Sequence, residues 1–136
     1  GSTLFRSDDL RAAVRQGVRD SEIADPSNTI MFADAAIPQR GHIVEYSFVE
    51  PPFAPSADFP QGQPRQENLL SPTLHFRHYG RANVIWADGH ISTERWAWAP
   101  EKNIYAARNS RWAVGWFGPK NNYYFDSGPK TVYTAR

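Results

Sequence analysis

The chain has 136 residues, 15 Lys and Arg against 14 Asp and Glu, 14% aromatic residues and no cysteine. That length bounds it to one domain with a sizeable core, since a domain of about 150 residues buries roughly 70% of its unfolded surface. A formal charge of +1 lacks the basic excess that counterion release on a nucleic acid requires, so no nucleic-acid partner is expected. The missing thiol excludes disulfide scaffolds, thiol nucleophiles and cysteine-based zinc sites, and no stretch approaches the roughly 18 apolar residues of a membrane span.

Gly1 and Ser2 read as a remnant of cloning. Ser7 before Asp8 and Asp9 is a helix start, with a side-chain oxygen for a free amide and two carboxylates in the first turn. The spacing of Leu10, Val14 and Val18 then predicts an amphipathic helix from about Asp8 to Asp20, its narrow apolar stripe suited to lying on a sheet. Asp25, Pro26, Ser27 and Asn28 form a turn, and strands are expected over Thr29 to Ala35 and His42 to Val49. From Glu50 to Pro72 six prolines and few aliphatic side chains mark a long loop inside the domain, which carries a contact or stays mobile.

Residues 82–98 carry the clearest local signal. Asp88-Gly89 flanked by apolar alternation predicts a two-residue type I′ hairpin that sets Trp86 opposite Ile91 and Val84 opposite Thr93. In that register Val84, Trp86 and Ile91 share a buried face. The aromatic tail, with Tyr105, Trp112, Trp116, Phe117 and Phe125 broken by glycine and proline, has no clear period.

His75, His78, Asp88 and His90 are the one group close enough in sequence to suggest a metal or acid-base site. Their spacing is not that of a known ligand set, Asp88 is explained by its turn, and the expectation is a structural His and Asp network with no metal and no cofactor. Carboxylates such as Asp34, Glu45, Glu94 and Asp126 are scattered. No nucleophile elbow, Walker loop or dinucleotide fingerprint occurs, so no catalytic residue is assigned. Five Trp leave room for a sugar-stacking platform and a glycan partner.

The run from Arg77 to His90, in which His78 is followed by nine residues and then Asp88-Gly89, resembles the prepilin-type processing-associated H-x9-DG domain. The turn and strand from Asp25 to Asp34 and the aromatic tail from Gly115 to Asp126 are similar to further parts of that family. The resemblance implies a pseudopilin-like protein with a type IV prepilin N-terminus and an apolar helix, neither of which is in this chain. It also implies an exported globular region, with other pilin-like or secretion-system proteins as partners. It names no reaction for the motif residues His78, Asp88 and Gly89. The expected fold is α+β, an antiparallel sheet with the N-terminal helix packed on it. The expected function is a non-enzymatic structural or interaction role in a secretion or pilus-like surface assembly. A carbohydrate-binding module and a His/Asp metal-dependent hydrolase are the alternatives. Exposed coplanar Trp rings would favour the first and convergence of the His and Asp side chains the second.

Overall fold

A computed structural model describes residues 2–3 and 22–133. Eight short strands run in chain order: β1 (Ser2–Thr3), β2 (Ile30–Ala33), β3 (Ala36–Gln39), β4 (His42–Glu45), β5 (Leu74–His75), β6 (Arg81–Trp86), β7 (Ile91–Arg95) and β8 (Val114–Gly115). They form an antiparallel sheet in the order β1-β2-β6-β7, a β3-β4 hairpin and a β5-β8 pair. Between them the described residues contain only 3-10 turns, at Pro26–Asn28, Gln66–Asn68, Ser110–Trp112 and Lys130–Tyr133.

The fold is therefore β-rich, which corrects the expected α+β arrangement of a sheet under an N-terminal helix. The helix expected from Asp8 to Asp20 lies outside the described residues. What covers the inner face of the sheet instead is the aromatic tail. Ile30, Ala33, Ala82, Val84 and Trp86 join Trp116, Phe117 and Phe125 in one buried cluster with Val49, Leu74 and Phe76. Trp86 meets Phe117 and Tyr124 edge to face, at centroid distances of 6.0 and 5.2 Å, the geometry that aromatic quadrupoles favour. Glycine and proline breaks let the tail lay successive rings on the sheet without a regular period, which is why no helix or strand pattern is visible there.

The hairpin at Asp88-Gly89 forms, but in a different register. Ile85 pairs with Ile91 and Val84 with Ser92, Trp86 N–H donates to the His90 carbonyl, and Gly89 N–H donates to the Trp86 carbonyl. The loop is thus three residues, Ala87 to Gly89, with Gly89 alone left-handed at φ 91. A three-residue loop of this type ends in a left-handed residue, commonly glycine. The one-residue shift turns β7 over, so Ile91 faces solvent at 70% exposure and not the core. Two side-chain bonds stabilise the observed register. The Trp86 indole N–H donates to Ser92 Oγ at 2.8 Å, and Asp88 Oδ1 accepts the His90 backbone N–H at 3.1 Å.

Strand β2 carries an irregularity of its own. Ile30 lies opposite Trp86 but Phe32 lies opposite Ile85, so β2 has one extra residue there. Such a bulge re-aims the next side chain: Ile30 and Ala33 point into the core, while Phe32 is exposed beside Ile85.

The Pro-rich segment is a docked loop. Phe53 bridges to Leu69 across its neck, Val49, Pro52 and Phe53 are buried, and Glu50 N–H donates to Thr73 Oγ1 at 3.0 Å. Asn122, from the tail, clasps it by both amide atoms. Its Oδ1 accepts the Phe53 N–H at 3.0 Å and its Nδ2 donates to the Phe53 carbonyl at 2.8 Å.

Candidate functional site

The two halves of the motif sit at opposite ends of β6, a six-residue strand that rises roughly 17 Å. At the first end, His78 and Arg81 exchange both backbone hydrogen bonds, at 3.0 and 3.3 Å, around Tyr79 at φ 57 and Gly80 at φ 81. Two consecutive left-handed residues define a type I′ turn. The His78 side chain reaches back to the β2–β3 junction, with Nε2 3.2 Å from Asp34 Oδ2. The same carboxylate oxygen accepts the Asn83 backbone N–H at 3.1 Å, and the Asp34 N–H donates to the Asn83 carbonyl. His78 and Asp34 thus fasten the start of β6 to the strand beside it.

At the second end, Asp88 caps its own loop. Oδ1 accepts the His90 N–H and lies 2.5 Å from His90 Nδ1. The His90 backbone N–H, before its side chain, holds the Asp88 carboxyl below the usual aspartate value. The imidazole of His90 stacks on Trp86 at 5.5 Å and 6°. The loop is further tied to the turn before β2, with Ala87 N–H on the Thr29 carbonyl and Asp88 N–H on the Pro26 carbonyl. Gly89→Val should destabilise the protein by about 1–2 kcal/mol through the left-handed conformation alone. No atom lies within 4 Å of an added Cβ, so Gly89→Asn, which tolerates that conformation, should recover most of the loss in a thermal melt.

His75 belongs to neither end. Its Nδ1 accepts the Arg77 Nε–H at 3.1 Å, and Arg77 also donates to Glu45 Oε1 at 3.0 Å and to the Ala35 carbonyl at 3.3 Å. Burial, and then the Arg77 guanidinium, lowers the His75 pKa below its ordinary 6.5. The unfolded chain therefore takes up this proton more readily than the folded one. Stability should be unaffected by His75 above that value and fall as pH drops through it toward the lowered folded value. His75→Gln should flatten this segment of a plot of denaturation midpoint against pH; an unchanged slope would assign the acid sensitivity elsewhere.

The four residues His75, His78, Asp88 and His90 are thus divided among three places. Among the described residues no group of three or more His, Asp or Glu side chains is placed to hold a metal ion, and these four do not converge on one point. Asp34 had stood in the sequence only as one of several scattered carboxylates, and Asn83 carried no signal beyond its place in the motif. Glu94 and Asp126 meet neither of them; Asp126 accepts the Tyr133 hydroxyl at 3.0 Å. A stacking platform is not formed either. Trp96 is the most exposed of the five Trp at 37%, its indole N–H donates to the Val114 carbonyl, and Trp98 lies at 37° to a Trp116 that is wholly buried. No family model, curated protein or solved structure matches the chain.

Proposed function

We propose that the chain is a non-enzymatic interaction domain of a pseudopilin-like protein, exported to the cell envelope or surface and working in a secretion or pilus-like assembly. The observation that carries this reading is the outer face of the β1-β2-β6-β7 sheet. There Phe32, Ile85 and Ile91 stand side by side across three strands, each opposite the next in register and all exposed. The motif residues lie at the two ends of the strand at the centre of this strip, where they hold turns and leave the face between them open. An aligned apolar strip on a fastened sheet suits contact with a neighbouring subunit. Among the described residues no helix is long and apolar enough to cross a membrane; anchoring by an apolar N-terminal helix is part of the proposal, and rests on the resemblance of the His78 to Gly89 segment.

The test is a photo-crosslinking amino acid at Ile91 in the full-length protein in its native cells. Crosslinks to another pilin-like or secretion-system protein are expected. Crosslinks confined to residues 4–21 of the same chain, or none at all, would overturn the reading. As a companion measurement, Ile91→Glu should leave the stability within about 0.5 kcal/mol of the parent, as surface changes generally do, while reducing assembly.

A further inference from the structure

The balanced composition conceals a cationic cluster. The tip of the β3–β4 hairpin meets the loop running from Glu101 to Trp112, and between them lie two adjoining depressions of about 480 and 400 Å³ that share Gln39, Arg40 and Ala106. Arg40, Lys102, Arg108 and Arg111 line the second. Glu101 reaches Arg108 at 3.6 Å, with both side chains mostly in water, so the pair neutralises little. Arg111 lies over the Trp112 ring at 5.5 Å. Among the described residues no carboxylate lies within salt-bridge distance of Arg40, Lys102 or Arg111. With a net charge of only +1, the chain has drawn a disproportionate share of its positive charge to one edge.

Beside these cations an aliphatic side chain is held out into solvent. Ile104 is 76% exposed and Tyr105 next to it is exposed as well. Neither position is slack. The buried Asn103 donates through Nδ2 to the Pro38 carbonyl at 2.7 Å, and its Oδ1 accepts the backbone N–H groups of Tyr105 and Ala107 at 2.9 and 3.1 Å. The Ile104 N–H donates to Ser71 Oγ at 3.0 Å, and Ala106 adopts φ 61, a left-handed conformation that costs a residue with a Cβ and persists only where its surroundings enforce it. The fold thus fixes an apolar tip beside a basic hollow.

We infer that this edge docks on an anionic phospholipid surface, with Arg40, Lys102, Arg108 and Arg111 receiving headgroup phosphates and Ile104 entering the acyl boundary. Tyr105 would lie at headgroup level, the depth at which an aromatic ring with a hydroxyl is favoured. Apolar insertion beside basic residues is the pairing that holds proteins at an anionic bilayer surface. A soluble phosphate or a nucleic acid would use the cations but gives no role to a projecting isoleucine, and Ile104 is what favours the lipid. This inference does not depend on the assembly role proposed above.

Vesicle flotation with the 136-residue chain tests it, comparing mixed phosphatidylglycerol and phosphatidylcholine with phosphatidylcholine alone. Binding is expected only to the mixed vesicles and should weaken as salt is raised. Ile104→Asp should lower vesicle affinity at least roughly tenfold, and Arg40→Glu and Lys102→Glu roughly fivefold or more each, with thermal midpoints near that of the parent. Absence of binding, or equal binding to both vesicles, overturns the inference. So does loss on charge reversal with Ile104→Asp behaving as the parent, or abolition of vesicle binding by inorganic phosphate at constant ionic strength, either of which would assign the hollow to a free anion.

Discussion

Trp116→Ala is expected to destabilise the protein by about 3–5 kcal/mol, the range for removing a large aromatic side chain from a packed core. Trp116 has no solvent exposure. Its ring lies 4.7 Å from that of Trp98, and its backbone exchanges hydrogen bonds with Trp98 in both directions. It also crosses to the Pro-rich loop, donating its indole N–H to the Glu50 carbonyl at 2.9 Å. Because folded domains are typically stable by only about 5–15 kcal/mol, this one truncation removes a large fraction of the total. Trp116→Phe separates the two contributions, since it keeps most of the apolar volume and removes the indole N–H that donates to the Glu50 carbonyl. It should cost about 1–3 kcal/mol. Urea denaturation followed by intrinsic fluorescence and circular dichroism reads both, and an alanine variant with the parental midpoint would mean that Trp116 is not in the core.

The second large effect is expected at Asn122. Alanine there removes the amide that satisfies both the N–H and the carbonyl of Phe53, in a place where Asn122 itself is buried and water has little access. Two backbone groups left unpaired cost about 1–3 kcal/mol each in such a setting, so a loss of about 2–6 kcal/mol is expected. It should be local before it is global: limited proteolysis of Asn122→Ala should cut within residues 50–72 under conditions where the rest of the chain survives. Asn122→Asp should do no better, because it keeps the acceptor, loses the donor and brings a charge into a buried site. Gly62 supports the same joint, where a Cβ would come within 2.2 Å of Asn122 Nδ2 and 2.8 Å of the Phe53 carbonyl. Cleavage spread evenly over the chain would show that Asn122 does not hold the loop.

How far these features could be read from the residues depends on how local their causes are. The hairpin at Asp88-Gly89 was legible because its signal is a dipeptide between alternating strands. Its register was not, because two- and three-residue loops differ by one step, and the choice is supported by the bond from Trp86 to Ser92 and the cap from Asp88 to His90. Apolarity alone pointed the wrong way, toward burying Ile91. The Pro-rich segment was visible as a long loop, but its docking rests on Asn122, 69 residues from Phe53, a distance over which sequence pattern says nothing. His78 and Asp88 were visible as a motif, and the spacing between them is filled by the strand that separates them. The partner of His78, Asp34, was hidden because a carboxylate that meets its imidazole only through sheet pairing leaves no periodic trace. The cations around Arg40 were hidden for a related reason, since they gather from two distant loops within a chain whose total charge is close to zero.

The turn before β6 also offers a reporter position. Tyr79 sits at its apex with its side chain entirely in solvent, and the bonds that close the turn are backbone bonds between His78 and Arg81, which do not involve the phenol. The chain has no cysteine, so a thiol placed at Tyr79 would be its single site for a spin label or fluorophore. Attached there, a probe would stand at the opposite end of β6 from Ile85, clear of the apolar strip. Its mobility would then register a neighbour whose footprint runs from that strip along β6 to the turn, in a complex or in an intact cell.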